Sequence, residues 1–319
     1  MRSNGGLIGA KKTVSTSAAS GIWAIRDAQR ERGASNWAGS ATPSVEYLVI
    51  AGGGGGGSSG ANYCGGGGAG GYRSSVIGSV TGGGGAAEPV LTITPGVALT
   101  VIVGGGGSAE TNGSDSVLGS ITATGGGAGR GNAYATAGYA GGSGGGGTAV
   151  IGQGGARTAS PVQGYIGGIA SSANQGGSDS GAGGGGGAGS RGSHTSNDAF
   201  TNGAGAGGSG LASSITGSSV TRAAGGTGSG YYYGPQTDGI GGGTPGVAGS
   251  VASRVGSVNT GSGGGGGRSD TGQAGGSGVV ILRYPANFPP AASTTGSPTI
   301  TTVGDYRIYT FNISGSITF

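Results

Sequence analysis

The chain has 319 residues, of which 90 are glycine, about four times the usual share of roughly 7%. Charged residues make up 8%, hydrophobic residues 33%, and the formal net charge is +4. Disordered glycine-serine linkers carry fewer apolar and more charged residues, so this composition favours a compact fold over a flexible spacer. The basic residues are scattered after position 32, which argues against a nucleic-acid-binding face.

Residues 1–44 differ from the rest because they contain both tryptophans and both lysines. Within them, 20–33 predicts one short α-helix, with Ser20 as the N-cap and Gly33 just beyond the last turn. The segment is too short to form its own core, so we expect it to dock on a partner; a disordered tail is the alternative. The residues expected to make the docking contact are Trp23, Ile25, Arg26 and Trp37.

The sequence shows no classical secretory signal and no membrane span. The first residues lack an apolar core of roughly 7–15 residues. No stretch approaches the roughly 20 apolar residues that cross a bilayer. We therefore expect synthesis in a cytoplasm and delivery, if any, as part of an assembly, without membrane insertion.

Short β-branched segments bounded by glycine predict strands on both sides of the centre of the chain. The dipeptide Pro95-Gly96 predicts a tight turn that joins the segments before and after it. The apolar segment 279–284 predicts a fully buried strand, whose natural partner is the equally apolar segment 45–51. The predicted strands are 45–51, 72–80, 89–94, 98–103, 116–124 and 279–284.

Between positions 125 and 278 the chain has almost no helix or strand pattern. Glycine runs alternate with polar and aromatic inserts, and no strict Gly-X-Y period exists, which excludes collagen. A bundle of polyglycine-II helices fits this pattern, with about three residues per turn and a rise of about 3.1 Å. Each glycine keeps its N–H group for neighbouring strands, whereas a Cβ would hold the backbones apart. The β segments would nucleate such a bundle.

A C-terminal β-hairpin segment is predicted over 286–319. The strand 299–303 pairs with 306–311 across Gly304-Asp305, and 317–319 offers a third strand. The fold class is therefore mainly β with irregular structure: a small β-sheet framework (45–124 and 279–285), a polyglycine-II bundle over about 125–278, and one short N-terminal helix. The strands and the bundle together form a glycine-rich domain over 45–285.

The residues needed for catalysis or metal binding are nearly absent. His194 is the only histidine and Cys64 the only cysteine, so no Ser-His-Asp triad and no multi-His or multi-Cys metal site can form within one chain. No lysine follows a glycine run, and Gly-x-Gly-x-x-Gly arises by chance at this glycine content. We expect no enzyme activity, no metal and no cofactor, with His194 in a loop and Cys64 packed.

Aromatic residues in the inserts between glycine runs are the candidates for receptor contact. Tyrosine presents a flat apolar face with a polar tip, which suits sugars and protein surfaces. In a bundle these inserts would form the end turns, where the rings either bind a receptor or cap the bundle against water. Three adjacent rings cannot all point inward, which favours binding for the triplet. The candidates are Tyr134, Tyr139, Tyr165, Phe200, Tyr231, Tyr232 and Tyr233.

Five landmarks in order resemble the glycine-rich domain of bacteriophage tail fibres and adhesins. They are 45–52, 67–73, 99–104, 120–125 and 276–285. Separately, 6–9 and 20–23 resemble the N-termini of virion structural proteins in tailed phages of marine cyanobacteria. The resemblance implies polyglycine-II bundles with receptor-binding loops. In many relatives a segment like 306–319 precedes the domain, so here it either completes a neighbouring subunit or closes the chain's own sheet.

These features together predict a phage virion component. Residues 1–44 would dock on other tail or fibre proteins, and end loops of the bundle would contact a host surface glycan or outer-membrane protein. A homotrimer is one assembly compatible with this interpretation. A purely structural fibre or decoration protein is the main alternative. A glycine-rich ice-binding protein is the second, although it would need flat Thr/Ala ladders rather than tyrosine loops.

Overall fold

The computed structural model describes residues 42–58, 63–131, 136–148, 152–170, 181–194, 204–230, 255–267 and 271–319. The helix predicted over 20–33 lies outside these residues. Within them the chain is mainly β, and its helical structure is one 3-10 turn at Gly82–Gly84. The strands are β1 Glu46–Ile50, β2 Tyr72–Ser74, β3 Ala98–Ile102, β4 Ser116–Leu118, β5 Ile121–Ala123, β6 Leu211–Ser213, β7 Val220–Arg222, β8 Val279–Pro285, β9 Ser293–Thr295, β10 Thr299–Val303, β11 Tyr306–Phe311 and β12 Gly315–Thr318.

The first five-stranded sheet has the antiparallel order β10-β11-β8-β1-β2. Its centre confirms the predicted pairing of the two apolar segments, with Leu48 of β1 opposite Ile281 of β8. The predicted hairpin β10–β11 is also present. Since β11 pairs with β8, the C-terminal strands close the chain's own sheet.

The second five-stranded sheet has the antiparallel order β5-β4-β3-β12-β9 and corrects two predictions. The segment 89–94 forms no strand and contributes only a bridge between Leu91 and Val45. The turn at Gly96 exists, with φ of 76°, but β3 pairs with β12 instead of with 89–94. β12 brings the fully buried Ile317 into the same core that Ile93 of the segment 89–94 reaches without forming a strand.

Two other predicted strands are shorter than expected. Only β2 forms within 72–80, because Gly78 turns the chain with φ of 78°. The segment 116–124 is a tight hairpin, β4–β5, with Gly119 at φ of 57° in its turn. A left-handed backbone at these positions is readily adopted by glycine. The hairpin β6–β7 was not predicted and lies between glycine segments.

The central strands β8 and β1 of the first sheet are buried on both faces. We call the two five-stranded sheets together the β framework. Tyr47, Leu282 and Phe311 point to one face, where they pack against residues of the second sheet. The other face carries Ile50 and Ile281, which pack on a second cluster. That cluster also contains Tyr72 and Ile215 and three alanines of glycine-rich segments, namely Ala69, Ala188 and Ala223. Apolar side chains therefore join the framework to the glycine-rich region.

The glycine-rich segments are held by backbone hydrogen bonds with a three-residue period. In the run 52–57, Gly54 and Gly57 both donate 2.9 Å bonds to one neighbouring segment, to the carbonyls of Gly68 and Gly65. Along the run, successive N–H groups donate to three neighbouring segments in a repeating order, namely 111–114, 273–276 and 65–68. Its carbonyls accept in rotation from 126–129, 107–110 and 264–267. One run thus bonds to neighbours on several sides, unlike a strand in a sheet.

The same rotation recurs in two other runs. From 65 to 71 the N–H groups bond in turn to 124–130, 183–186 and 261–264. From 182 to 188 they bond in turn to 223–229, 144–147 and 190–193. We call this connected set of segments the glycine network.

The spacing of the network requires glycine. A Cβ placed on Gly67 would lie 2.1 Å from the carbonyl oxygen of Gly54, and one on Gly185 would lie 2.0 Å from that of Gly67. Both obstructions are backbone atoms, which cannot rotate away as a side chain can. By contrast, a Cβ on the exposed Gly105 would meet nothing within 4 Å. Glycine is thus needed at the interior positions of the runs and is dispensable at Gly105.

Candidate functional site

Most of the predicted site residues lie outside the described part of the chain. For receptor contact these are Tyr134, Phe200, Tyr231, Tyr232 and Tyr233. For docking they are Trp23, Ile25, Arg26 and Trp37. The structure places the two remaining candidates, Tyr139 and Tyr165.

Both tyrosines belong to hydrogen-bonded segments of the glycine network instead of to turns. Tyr139 donates its backbone N–H to Ala128 and accepts from Gly145, each at 2.9 Å. Tyr165 donates to Gly187 at 3.1 Å and accepts from Gly144 at 3.0 Å. A large side chain is tolerated at these positions because one side of each segment lies at the surface. Neither tyrosine lies in a turn, and their contact with a receptor stays a prediction.

The ring of Tyr139 is engaged by a neighbouring arginine. It is 37% exposed, and the Arg130 guanidinium carbon lies 4.2 Å from its centroid. Arg130 also donates a hydrogen bond to the Tyr139 hydroxyl. The guanidinium therefore contacts both the face and the hydroxyl of this ring.

Tyr165 instead lines a pocket of about 460 Å³. The guanidinium carbon of Arg157 lies 5.7 Å from its ring centroid, and one Arg157 nitrogen donates to the carbonyl of Gly164 at 3.3 Å. The lining comprises Arg157, Tyr165, Ile166, Gly189, Ser190 and Arg191. We call this cavity the Arg157–Arg191 pocket.

The walls of the Arg157–Arg191 pocket are fixed by the network. Besides the bonds of Tyr165, Ile166 accepts from the N–H of Gly192 at 3.2 Å, which ties the two walls together. The Ser190 carbonyl accepts from Gly187 at 2.9 Å, and its hydroxyl accepts from the Ser209 N–H at 2.8 Å. The pocket is consequently built on rigid backbone.

The pocket carries positive charge. Two arginines line it, and no carboxylate of a described residue lies within ion-pair distance of either. The ion pairs among the described residues join Arg73 to Glu88 and Arg283 to Glu46, within the β framework. Sequence reasoning missed both pocket arginines, because Arg157 and Arg191 stand alone in separate inserts and form no motif.

The structure also places the single histidine and the single cysteine. His194 is exposed, and its Nδ1 accepts a 2.9 Å hydrogen bond from the N–H of Ile169. Cys64 is fully buried and packed, as predicted. Within the described ranges there is no group of three or more His, Cys, Asp or Glu side chains that could hold a metal ion. A search of those same ranges found no helix long and apolar enough to cross a membrane.

A family model described as a glycine-rich domain matches residues 29–285. The chain belongs to this glycine-rich domain family. The match spans β1 to β8 and all three runs of the glycine network. No curated protein and no solved structure matches the chain.

Proposed function

We propose that the chain is a phage virion adhesin or tail-fibre protein that contacts a host cell-surface receptor. The observation that carries this proposal is the Arg157–Arg191 pocket, a charged cavity beside a tyrosine on a rigid backbone scaffold. Binding sites are commonly placed on loops or inserts that a rigid scaffold positions. The five ordered landmarks of the sequence supply the virion context.

The scaffold itself is, in this proposal, a bundle of polyglycine-II helices. The three-residue period of the hydrogen bonds supports it, since polyglycine II shares the three-residue turn of polyproline II. Bonding to neighbours on several sides supports it as well. Such a bundle would give a small virion protein a stiff body without large side chains.

The remaining parts have proposed roles in assembly. Residues 1–44 would attach the chain to other virion tail or fibre proteins, with 45–285 as the glycine-rich domain and 286–319 as its C-terminal segment. Because β11 pairs with β8 of the same chain, these strands need no second subunit for pairing. The proposed role involves no catalysis, nucleic acid or membrane insertion, and it is exercised in the assembled virion.

Binding to cells tests the proposal directly. Fluorescently labelled full-length protein is applied to a panel of marine cyanobacterial strains, and its ability to block phage adsorption is measured. We expect saturable binding to susceptible strains and reduced adsorption. Protein that is folded by circular dichroism yet binds no strain and blocks no adsorption would contradict the receptor role and favour a purely structural one.

Two matched variants locate the contact. Tyr165→Ala removes the pocket tyrosine, whereas Tyr306→Ala removes a tyrosine of β11 that is 38% exposed and has the Arg283 guanidinium carbon 4.5 Å from its ring centroid. We expect the first to weaken cell binding and the second to leave it unchanged. If both variants bind cells as well as the wild type, the receptor contact lies elsewhere. The next test is then the triple variant in which Tyr231, Tyr232 and Tyr233 are changed to Ala.

A further inference from the structure

We infer that the Arg157–Arg191 pocket binds an acidic saccharide, that is, a sugar ring bearing a carboxylate or sulfate group. This inference rests on the proposed adhesin function, because it names the chemistry of the receptor. It follows from the charge, the aromatic ring, the size and the rigidity of the pocket.

The charge of the pocket favours an anionic ligand. Arg157 and Arg191 come from different segments and converge on one cavity, without a carboxylate partner among the described residues. A guanidinium presents a planar fork of donors that matches a carboxylate or sulfate oxygen pair. A concave site lined by one sign of charge also attracts the opposite sign at a distance.

Comparison with the Arg130–Tyr139 pair shows that Arg157 retains donors for a ligand. Arg130 sits 4.2 Å from its ring and also bonds the tyrosine hydroxyl. Arg157 sits 5.7 Å from the Tyr165 ring, near the limit of about 6 Å for a cation–π contact. Its one hydrogen bond to a described residue, to the Gly164 carbonyl, is 3.3 Å long. In the first pair the ring and its hydroxyl hold the guanidinium, whereas in the second the guanidinium makes only a long contact with its ring and one long hydrogen bond to a described residue.

The aromatic ring and the volume favour a sugar over a simple anion. A sugar ring has an apolar C–H face, for which the Tyr165 ring and Ile166 offer matching surface. The volume of about 460 Å³ falls within the range of roughly 300–1,000 Å³ of small-ligand pockets. An inorganic anion would leave most of this space and the apolar wall unused.

The rigid walls favour measurable affinity from a small site. Ordering a loop or side chain on binding reduces affinity. Here the backbones on both sides of the cavity are already fixed by network hydrogen bonds. The remaining cost is therefore mainly the ordering of the two arginine side chains.

Titration of the full-length protein with three defined saccharides tests the inference. The probes are trigalacturonic acid, its neutral methyl ester and a chondroitin 6-sulfate disaccharide, followed by microscale thermophoresis. We expect at least one acidic probe to bind and the methyl ester to bind about tenfold more weakly or not at all, because it has no negative charge to pair with the guanidinium groups. Binding of trigalacturonic acid shows that a carboxylate is sufficient. Binding of the chondroitin 6-sulfate disaccharide alone, which carries both a carboxylate and a sulfate, shows that the sulfate is needed.

Variants assign the binding to this pocket. Arg157→Gln and Arg191→Gln should each weaken the acidic probe about tenfold, and Tyr165→Ala should weaken it several-fold. Arg307→Gln, which removes the same charge from β11, and Tyr306→Ala should leave it unchanged. Circular dichroism confirms that each variant is folded.

Three results would overturn the inference: neither acidic probe binds, the methyl ester binds equally well, or the pocket variants bind like wild type. Cell binding separates it from the proposed function. Protein that binds cells but no acidic probe retains the adhesin role and loses the ligand class. Protein that binds an acidic probe through the pocket but binds no cell retains the pocket assignment and loses the adhesin role.

Discussion

The β framework and the glycine network are packed on opposite principles. In the framework, large side chains such as Tyr47, Leu282 and Phe311 fill the space between two sheets. In the network, backbones approach so closely that the space for a Cβ at Gly67 is already taken by the Gly54 carbonyl. A buried methyl group stabilises the first region and is excluded from the positions of the second where backbones are in close contact.

This contrast shows how a chain with few apolar residues can still have an interior. Buried backbone N–H and C=O groups must be paired, and each net hydrogen bond contributes about 0.5–1.5 kcal/mol. The network satisfies these groups by bonding each run to several neighbours. The framework contributes the apolar burial that the network lacks, and β1 continues directly into the run 52–57.

The largest effect is expected from a single methyl group in the network. Gly67→Ala should destabilise the protein by at least about 4 kcal/mol, because the new Cβ would separate two hydrogen-bonded backbones. The Gly67 N–H bonds Gly264 and its carbonyl accepts from Gly226, each at 2.8 Å, so both contacts are weakened as well. Urea denaturation followed by circular dichroism gives the free energy of unfolding.

Gly105→Ala is the matched control for that change. It places the same methyl group in a glycine run, but with no atom within 4 Å. It should be neutral or stabilising by about 0.4–1 kcal/mol, since alanine restricts the unfolded chain. Equal destabilisation by Gly67→Ala and Gly105→Ala would mean that close backbone packing does not explain the glycine content.

The next largest effect is expected in the framework. Phe311→Ala removes a fully buried ring between the two sheets and should cost about 3–5 kcal/mol. Here the loss comes from a cavity, whereas at Gly67 it comes from an added atom. An unfolding free energy within about 1 kcal/mol of wild type would show that the sheets do not form the apolar core.

The smallest effect concerns a buried tyrosine and depends on pH. Burial, with the hydrogen bond that Tyr47 donates to Glu88 at 2.9 Å, raises the pKa of Tyr47 above its ordinary value of about 10. The native state therefore holds the phenol proton more tightly, and this stabilisation is complete below about pH 10 and is lost as the pH rises further.

Tyr47→Phe separates the contribution of the hydrogen bond to Glu88 from that of the raised pKa. At neutral pH the variant should be about 1 kcal/mol less stable, because it lacks the hydrogen bond to Glu88. Above about pH 10 the difference should shrink or reverse, since phenylalanine has no proton to lose. Urea denaturation at neutral pH and near pH 11 measures it. A difference that stays constant across this range would contradict the raised pKa.

The framework was largely predictable because its strands carry side-chain patterns. The pairing of β1 with β8 was predicted because the segments 45–51 and 279–284, at least 228 residues apart, are equally apolar. No other segment matched either of them in this respect. The hairpin β10–β11 followed from its turn. The prediction failed for 89–94, because a local hairpin was assumed and β3 pairs with the distant β12 instead.

The neighbours within the network could not be predicted. A glycine run has no side chains to distinguish one neighbour from another, and Gly66 bonds Gly183 across more than a hundred residues. The Arg157–Arg191 pocket depends on that unpredictable register, since Tyr165 meets Gly187 only through the network. What could be predicted was that the residues interrupting the runs are candidates for function.

Amide hydrogen exchange of the full-length protein, followed by mass spectrometry, tests most directly whether the glycine runs are a packed interior. The amides of 52–57 and 65–71 donate to backbone carbonyls and are almost all buried. They should be protected as strongly as those of β1 and β8, because opening the runs requires separating several backbones at once. Exchange of these glycine amides at the rate of an unstructured chain, with β1 and β8 still protected, would contradict a hydrogen-bonded glycine core.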